Sequence, residues 1–248
     1  MSAKPILRVG KIKSSGRSTP QSVHAHFARS RPTPNADPQR TDQNRWLVGS
    51  ADKPLDQAIT ECMTKAGIDR TKLRKDAVLA NDLLLSVSPE WFRPDNPEAS
   101  GTYDKNRVRA FAAEAQQFLR KQFGPRLVAA VLHLDEATPH VQAVVVPVMT
   151  GEGKKHRLSS KDYFSPDRLR VLQQAWEDQM RPHGVGPRTK GRRARHTTLR
   201  EYYSALEATR TTDKRPKIEV GAPPPKKAFE STAAYHQRLG EWRRAEAK

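Results

Sequence analysis

His133 to Val148 reads HLDEATPHVQAVVVPV, and the fold turns on this stretch. An apolar run, Arg126 to Leu134, leads into it, and a second, His140 to Val148, leaves it. The Asp-Glu-Ala-Thr-Pro between them carries turn chemistry, so the segment predicts two antiparallel strands and a tight connection. His140 and Gln142 are two apart and share one face of a strand, while Val141 and Ala143 face the other way into a core. Antiparallel pairing would bring His133 beside them. Imidazole is a common ligand for metal ions, and an amide oxygen is a weaker, harder donor. Asp135 and Glu136, in the turn, are open to three roles: ligand, hydrogen-bond support for an imidazole, or proton carrier. A hairpin of histidines satisfied by local hydrogen bonds is the bland alternative. The spacing is not a zinc-finger pattern, and cysteine ligands are absent, which argues against structural zinc.

The bulk composition narrows the partner. The chain of 248 residues carries 45 Lys and Arg against 27 Asp and Glu, a formal net charge of +18. Self-repulsion of that size is relieved by a polyanion, so nucleic acid is the expected partner, against a merely basic soluble protein. Its single cysteine, Cys62, excludes an internal disulfide framework and fits a small buried hydrophobe on a helix. No apolar run is long enough for a membrane span, and the N-terminal MSAKPILRVGKIK lacks an apolar signal core, so a cytoplasmic location is expected.

Outward from the hairpin, periodicity predicts a first strand over Ile6–Ile12. A helix capped by Ser18 or Thr19, with Pro20 in its first turn, runs to about Arg29. Residues 30–45, with three prolines, read as a surface loop. Leu55–Ala66 reads as a helix stopped by Gly67, and Ala77–Val87 as a strand with helix as the rival. Lys105–Phe123 reads as a helix ended by Gly124-Pro125, and Asp167–Met180 as another. This order predicts an α+β fold with a central, mainly antiparallel sheet flanked by helices. Residues 181–200 hold seven Lys or Arg and no acid. Arg192, Arg193 and Arg195 are the expected phosphate contacts there, with a solvated charge run as the alternative.

A second cluster lies early in the chain, in His24-Ala25-His26-Phe27-Ala28-Arg29. His26 and Arg29 are three apart, hence on one helical face, and a neighbouring cation favours neutral imidazole. By itself the pair fits a surface or packing role equally.

Taken with Asn44-Arg45-Trp46-Leu47 and His133–His140, however, His26–Arg29 resembles the three ordered motifs of the MobV (Mob/Pre) plasmid mobilisation relaxases. That family lies in the superfamily named for its His-hydrophobic-His motif. ILRVGKIKS at the start, Arg74–Val78 and Leu158–Asp162 add to the likeness, which spans about residues 1 to 205. The resemblance implies a nicking domain over residues 1–210; the prolines of 211–228 read as a Pro/Lys-rich linker, and 229–248 as an amphipathic helical tail. It also implies a divalent-metal endonuclease, using Mn²⁺ or Mg²⁺, that cuts and rejoins one strand at a plasmid transfer origin in a bacterial cytoplasm. Between those steps it stays covalently on the 5′ end, and conjugative coupling machinery is a further possible partner.

Residue by residue, His26 matches the nucleophile, Arg29 its partner at the phosphate, and His133, His140 and Glu136 the metal ligands, with Glu136 also a candidate base. Asn44, Arg74 and Lys161 fall in segments expected at DNA. Gln142 departs from the pattern, which usually has a third histidine there. A glutamine oxygen still suits Mg²⁺ or Mn²⁺ but binds transition metals less tightly. Two rivals remain: a replication-initiator or transposase-like nickase using Tyr202 or Tyr203, and a non-catalytic DNA-binding relative.

Overall fold

The computed structural model describes residues 3–151 and 154–187, together with Ala234, Gln237, Arg238 and Glu241. The chain divides into two compact units, Met1–Lys190 and Gly191–Lys248. In the second, the four described residues are helical and fall within the expected tail. The expected linker, Arg192, Arg193, Arg195, Tyr202 and Tyr203 lie outside the described residues.

The first unit is built on a six-stranded sheet. Its strands are β1 (Pro5–Val9), β2 (Ile12–Lys13), β3 (Arg45–Val48), β4 (Val78–Val87), β5 (Leu127–His133) and β6 (His140–Val145). The order is β1-β4-β6-β5-β3, every pairing is antiparallel, and β2 pairs with β4 beyond the end of β1. A two-stranded ribbon, β7 (Val148–Gly151) and β8 (Lys154–Leu158), follows. The helices are α1 (Pro20–Phe27), α2 (Leu55–Lys65), α3 (Pro89–Phe92), α4 (Lys105–Phe123), α5 (Ser160–Tyr163) and α6 (Pro166–Met180).

The fold class is the expected one, and the differences are local. The single first strand breaks at Gly10 into β1 and β2, although Gly10 N–H still donates to the Asp82 carbonyl. Residues 77–87 form a strand, not the rival helix, because β4 is paired on both edges. The expected strand to Val148 stops at Val145. Pro147 has no N–H for the ladder, and the chain turns there into the ribbon, which the polarity of 151–158 had concealed. The proline-rich loop contains a 3-10 turn, Pro38–Gln43, and the edge strand β3 begins inside the second motif. Thr19 caps α1 in a reciprocal box with Ser22, and Pro20 opens the helix. Gly67 follows α2 at φ +66°, in the left-handed region that a residue with a side chain rarely adopts.

Alternation along the strands gives the sheet two faces. On one, Leu83, Leu85, Val141, Ala143, Val145 and Leu132 pack against Phe111 and Phe118 of α4 and Trp176 of α6, all buried. On the other, Ala129, Val131 and Val144 pack against Phe27 of α1 and Ile59 and Met63 of α2. This second face is covered only in part. Leu84 and Gln142 are half-buried, and Arg8 on the edge strand is exposed.

Candidate active site

Sheet register places the polar residues in rows across the second face. His133 pairs with His140, His140 with Ser86 and Ser86 with Ile6. The next row is Val131, Gln142, Leu84 and Arg8. His133, His140 and Gln142 therefore share a face at one end of the sheet, as alternation requires. Helix α1 lies over that end and brings His26 to them. The His26 and His133 ring centres are 5.2 Å apart, and those of His133 and His140 are 5.1 Å apart.

Arg29 binds the motifs together from an unexpected position. α1 ends at Phe27, and Arg29 has φ +52°, so it sits past the helix end rather than one turn along its face. From there its Nη1 donates to the His26 carbonyl at 3.0 Å and lies 3.0 and 3.2 Å from the two ring nitrogens, against the edge between them. Its Nε and Nη2 reach the Asp135 carboxylate at 2.8 and 2.7 Å. Nη2 is also 2.8 Å from Glu136 Oε1 and 2.9 Å from His133 Nδ1. Left-handed backbone costs a non-glycine residue about 1–2 kcal/mol, which this set of charge-assisted bonds offsets.

Asp135 is fully buried, and Arg29 bonds both of its oxygens. Besides Arg29 it accepts from Asn44 Nδ2 at 2.8 Å and Thr41 Oγ1 at 3.4 Å. Its carbonyl accepts from Asp37 N–H at 2.7 Å. Burial works to raise its carboxyl pKa, but the Arg29 and Asn44 hydrogen bonds win, and it is held below the usual range. His133, Asp135 and Glu136 each offer a ligand atom within 4.8 Å of the others. Arg29 bonds both Asp135 oxygens and Asn44 shares Oδ2, so the carboxylate is committed first to holding Arg29 and the turn. Asn44, expected at DNA, spends its amide inside the protein: Nδ2 on Asp135 and Oδ1 on the Leu134 N–H at 2.7 Å. Asp135 and Asn44 thus lock the turn, a role that the residue pattern alone does not reveal.

The donor set fits a divalent cation. Two buried polar atoms here have no hydrogen-bond partner, His133 Nε2 and Gln142 Oε1. His140 turns Nδ1 to the Thr138 carbonyl at 3.0 Å, which leaves Nε2 as a lone-pair donor. Glu136 Oε1 lies 3.9 Å from His140 Nε2 and 3.8 Å from His26 Nε2. Mixed imidazole, carboxylate and amide oxygen donors suit Mn²⁺ or Mg²⁺ better than a thiophilic ion.

Burial and neighbouring positive charge keep His26 and His133 neutral. Burial, with Arg29 and Arg31 nearby, lowers His26 to about 4 despite the opposing charge of Glu136. Burial, then His140 and Arg29, lowers His133 to about 2. Arg74 and Lys161 are elsewhere. Arg74 is exposed beside Asp76, just before the Val78 end of β4, and Lys161 is exposed on α5, whose Ser160 accepts from Asn81. Both therefore lie toward the end of the sheet opposite the Ser86–His140 row: at ~3.3 Å per residue, Asn81 is about 17 Å and Val78 about 26 Å along β4 from Ser86.

The profile of the family described as Mob_Pre, plasmid recombination enzyme, matches residues 1–204. A 65 kDa protein of Zymomonas mobilis is 32% identical over 88% of this chain and 35% of its own length. The plasmid recombination enzyme type 2 of Staphylococcus aureus is 27% identical over 72% of this chain and 40% of its own. The chain thus spans less than half the length of these curated relatives. Among solved structures, the MobM relaxase domain bound to plasmid pMV158 oriT DNA of 22 nucleotides, with Mn, is similar at TM-score 0.67 and 25% identity. That match covers 82% of this chain and 99% of the other.

Proposed function

Since the chain belongs to the Mob_Pre plasmid recombination enzyme family, we propose that it is a plasmid mobilisation relaxase, which nicks one DNA strand at a transfer origin and carries the 5′ phosphoryl end on His26. The observation that carries this reading is the meeting of the first and third motifs on one guanidinium, since Arg29 touches His26, His133, Asp135 and Glu136, with the second motif tied in by Asn44 on Asp135.

The residues divide the work as follows. His26 is half-buried and neutral, so a ring nitrogen has a lone pair for attack on phosphorus. As the P–N bond forms, the P–O bond to the 3′ oxygen breaks. That oxygen takes up a proton, and the phosphorylated ring gives up the one on its other nitrogen. Glu136 Oε1, 3.8 Å from His26 Nε2, is placed to receive it. Arg29 orients the ring and adds positive charge where the phosphate gains negative charge. His133, His140, Glu136 and Gln142 would hold the metal. Once bound, the ion would polarise the phosphate oxygens as a Lewis acid. The linkage on His26 retains the energy of the phosphodiester, so the reverse attack by a 3′ hydroxyl reseals the strand.

The half-exposed floor around Leu84 and Gln142, edged by Arg8, gives the single strand a path across the sheet. Arg74 and Lys161 then serve DNA away from the nick, and the segment around Arg192, Arg193 and Arg195 follows the backbone. Coupling machinery would meet the protein on its DNA adduct.

The deciding experiment is nicking of a supercoiled plasmid bearing the cognate origin, with Mn²⁺ and with EDTA, followed by mapping of the residue bonded to DNA. Metal-dependent nicking with the adduct on His26, abolished in His26→Ala and kept in Tyr203→Phe, is the expected result. An adduct on Tyr202 or Tyr203 would transfer the chemistry to the tyrosine-using reading. Binding without nicking would leave a DNA-binding relative.

A further inference from the structure

Beside the catalytic cluster, on the far side of Arg29, the chain from Ser30 to Thr41 folds around an open cleft of about 360 Å³. That is within the range of small-ligand pockets, ~300–1,000 Å³. Pro32, Pro38 and Ala36 supply apolar wall, Thr33 a hydroxyl, and Arg29 and Arg31 the cationic side. Arg31 is exposed and has no ion-pair partner among the described residues. It is close enough to His26 for its charge to oppose protonation of the ring.

The loop is tied to the turn that holds the catalytic residues. Asn35 Nδ2 donates to Glu136 Oε2, and Asp37 N–H donates to the Asp135 carbonyl. Asp37 also pairs with Arg40, whose guanidinium reaches the Leu134 carbonyl at 2.9 Å. Three prolines and these ties reduce the freedom the loop loses when it receives a ligand. A wall of this chemistry, one guanidinium away from the attacking imidazole, suits a flat apolar ring joined to a phosphate.

We propose that this cleft is a subsite for one unpaired nucleotide adjoining the scissile phosphate, with its base against Pro32, Ala36 and Pro38 and its phosphate on Arg31. The inference rests on the nicking reading and extends it, because it says where the strand is gripped outside the reacting atoms. A base seated here aligns the phosphodiester with His26 and makes the enzyme prefer strands whose bases are free to leave the stack.

Binding of fluorescein-labelled dT10, and of a strand of the same length and phosphate number lacking bases, in EDTA tests it without cleavage. The wild type is expected to bind dT10 about tenfold more tightly than the abasic strand, in the range of one seated base. Ala36→Leu, which fills the cleft, should erase that difference and leave abasic binding unchanged. Thr33→Leu is a second filler, and unchanged urea midpoints establish that each variant is folded. Arg31→Ala should weaken both strands and lower the salt dependence by about one counterion. Equal binding of the two strands by the wild type, or fillers that bind dT10 as the wild type does, would overturn the proposal. The nicking assay on the wild type reads the parent hypothesis separately. Base-dependent binding without nicking would keep the cleft and sink the relaxase, and nicking with unaffected fillers would do the reverse.

Discussion

The two faces of the sheet are made by alternate residues of the same strands, yet they do opposite work. On β6, Val141, Ala143 and Val145 enter the face sealed by Phe111, Phe118 and Trp176, all buried. Between them, His140 and Gln142 enter the face that α1 and α2 cover only in part. The sealed face contains buried apolar side chains and supplies stability without chemistry. The open face keeps a core near α2 and a cluster of imidazoles, carboxylates and a guanidinium near α1. The groups of that cluster are tolerated because they are paired with one another or aimed at a ligand. A period of two lets one strand hold both environments a few ångströms apart, so the rigid face positions the reactive one.

The contrast can be broken from either side. Trp176→Ala should destabilise the unit by about 4 kcal/mol, read as a shift in urea midpoint, while folded molecules keep their affinity for Mn²⁺. Loss of metal binding by the folded fraction would show that the faces are not independent. Asp135→Asn removes the charge opposite buried Arg29 and should cost about 3 kcal/mol. Unlike the tryptophan change, it should also lower nicking by the folded fraction. Retention of full nicking would remove Asp135 from its place as the support of Arg29.

A third change should stabilise. Asp82 lies on the open face, opposite Val144, and its Oδ1 is buried without a partner. Burial raises its pKa from 3.8 to about 6. Below 3.8 the carboxyl is protonated in folded and unfolded chains alike and makes no difference. Between those values the folded chain holds a proton that the unfolded chain has lost, so stability falls as pH rises, and above about 6 the full penalty applies. Asp82→Asn should therefore raise stability by up to about 3 kcal/mol at pH 8 and by almost nothing at pH 4. Thermal melts at both pH values measure this, and an equal gain at both would refute the assignment.

The smallest effect concerns the amide that replaces an imidazole. Gln142→His should tighten Co²⁺ or Ni²⁺ binding about tenfold, roughly 1.4 kcal/mol, with little change for Mg²⁺. Calorimetric titration reads it directly, and an unchanged Co²⁺ affinity would place Gln142 outside the metal site.

Much of this was legible in the residues. The two apolar runs on either side of DEATP disclosed the β5–β6 hairpin, and with it the pairing of His133 with His140. The Thr19-Pro20 start of α1, the glycine stops and the helical stripe of α4 are local signals, and each formed where it was expected. The positions that misled are those whose signal is not local. β3 is four residues long and defined by its partner β5 rather than by its own pattern. Asn44 carries a motif, but only the folded chain reveals that its amide closes on Asp135 and Leu134. Arg29 was expected along the face of α1 and instead reaches the site from a left-handed turn beyond it.

By itself, then, the sequence determined the strand period, the helix limits and the basic charge, because these depend on composition and on neighbours within a few positions of the chain, and it singled out the candidate reactive groups. Only the tertiary structure decided that Asp135 closes on Arg29 and Asn44, that Arg29 joins the first motif to the third, and that the proline-rich loop shapes a cleft beside Arg29. Those outcomes depend on the meeting of segments as much as 107 residues apart, and no local pattern encodes that meeting.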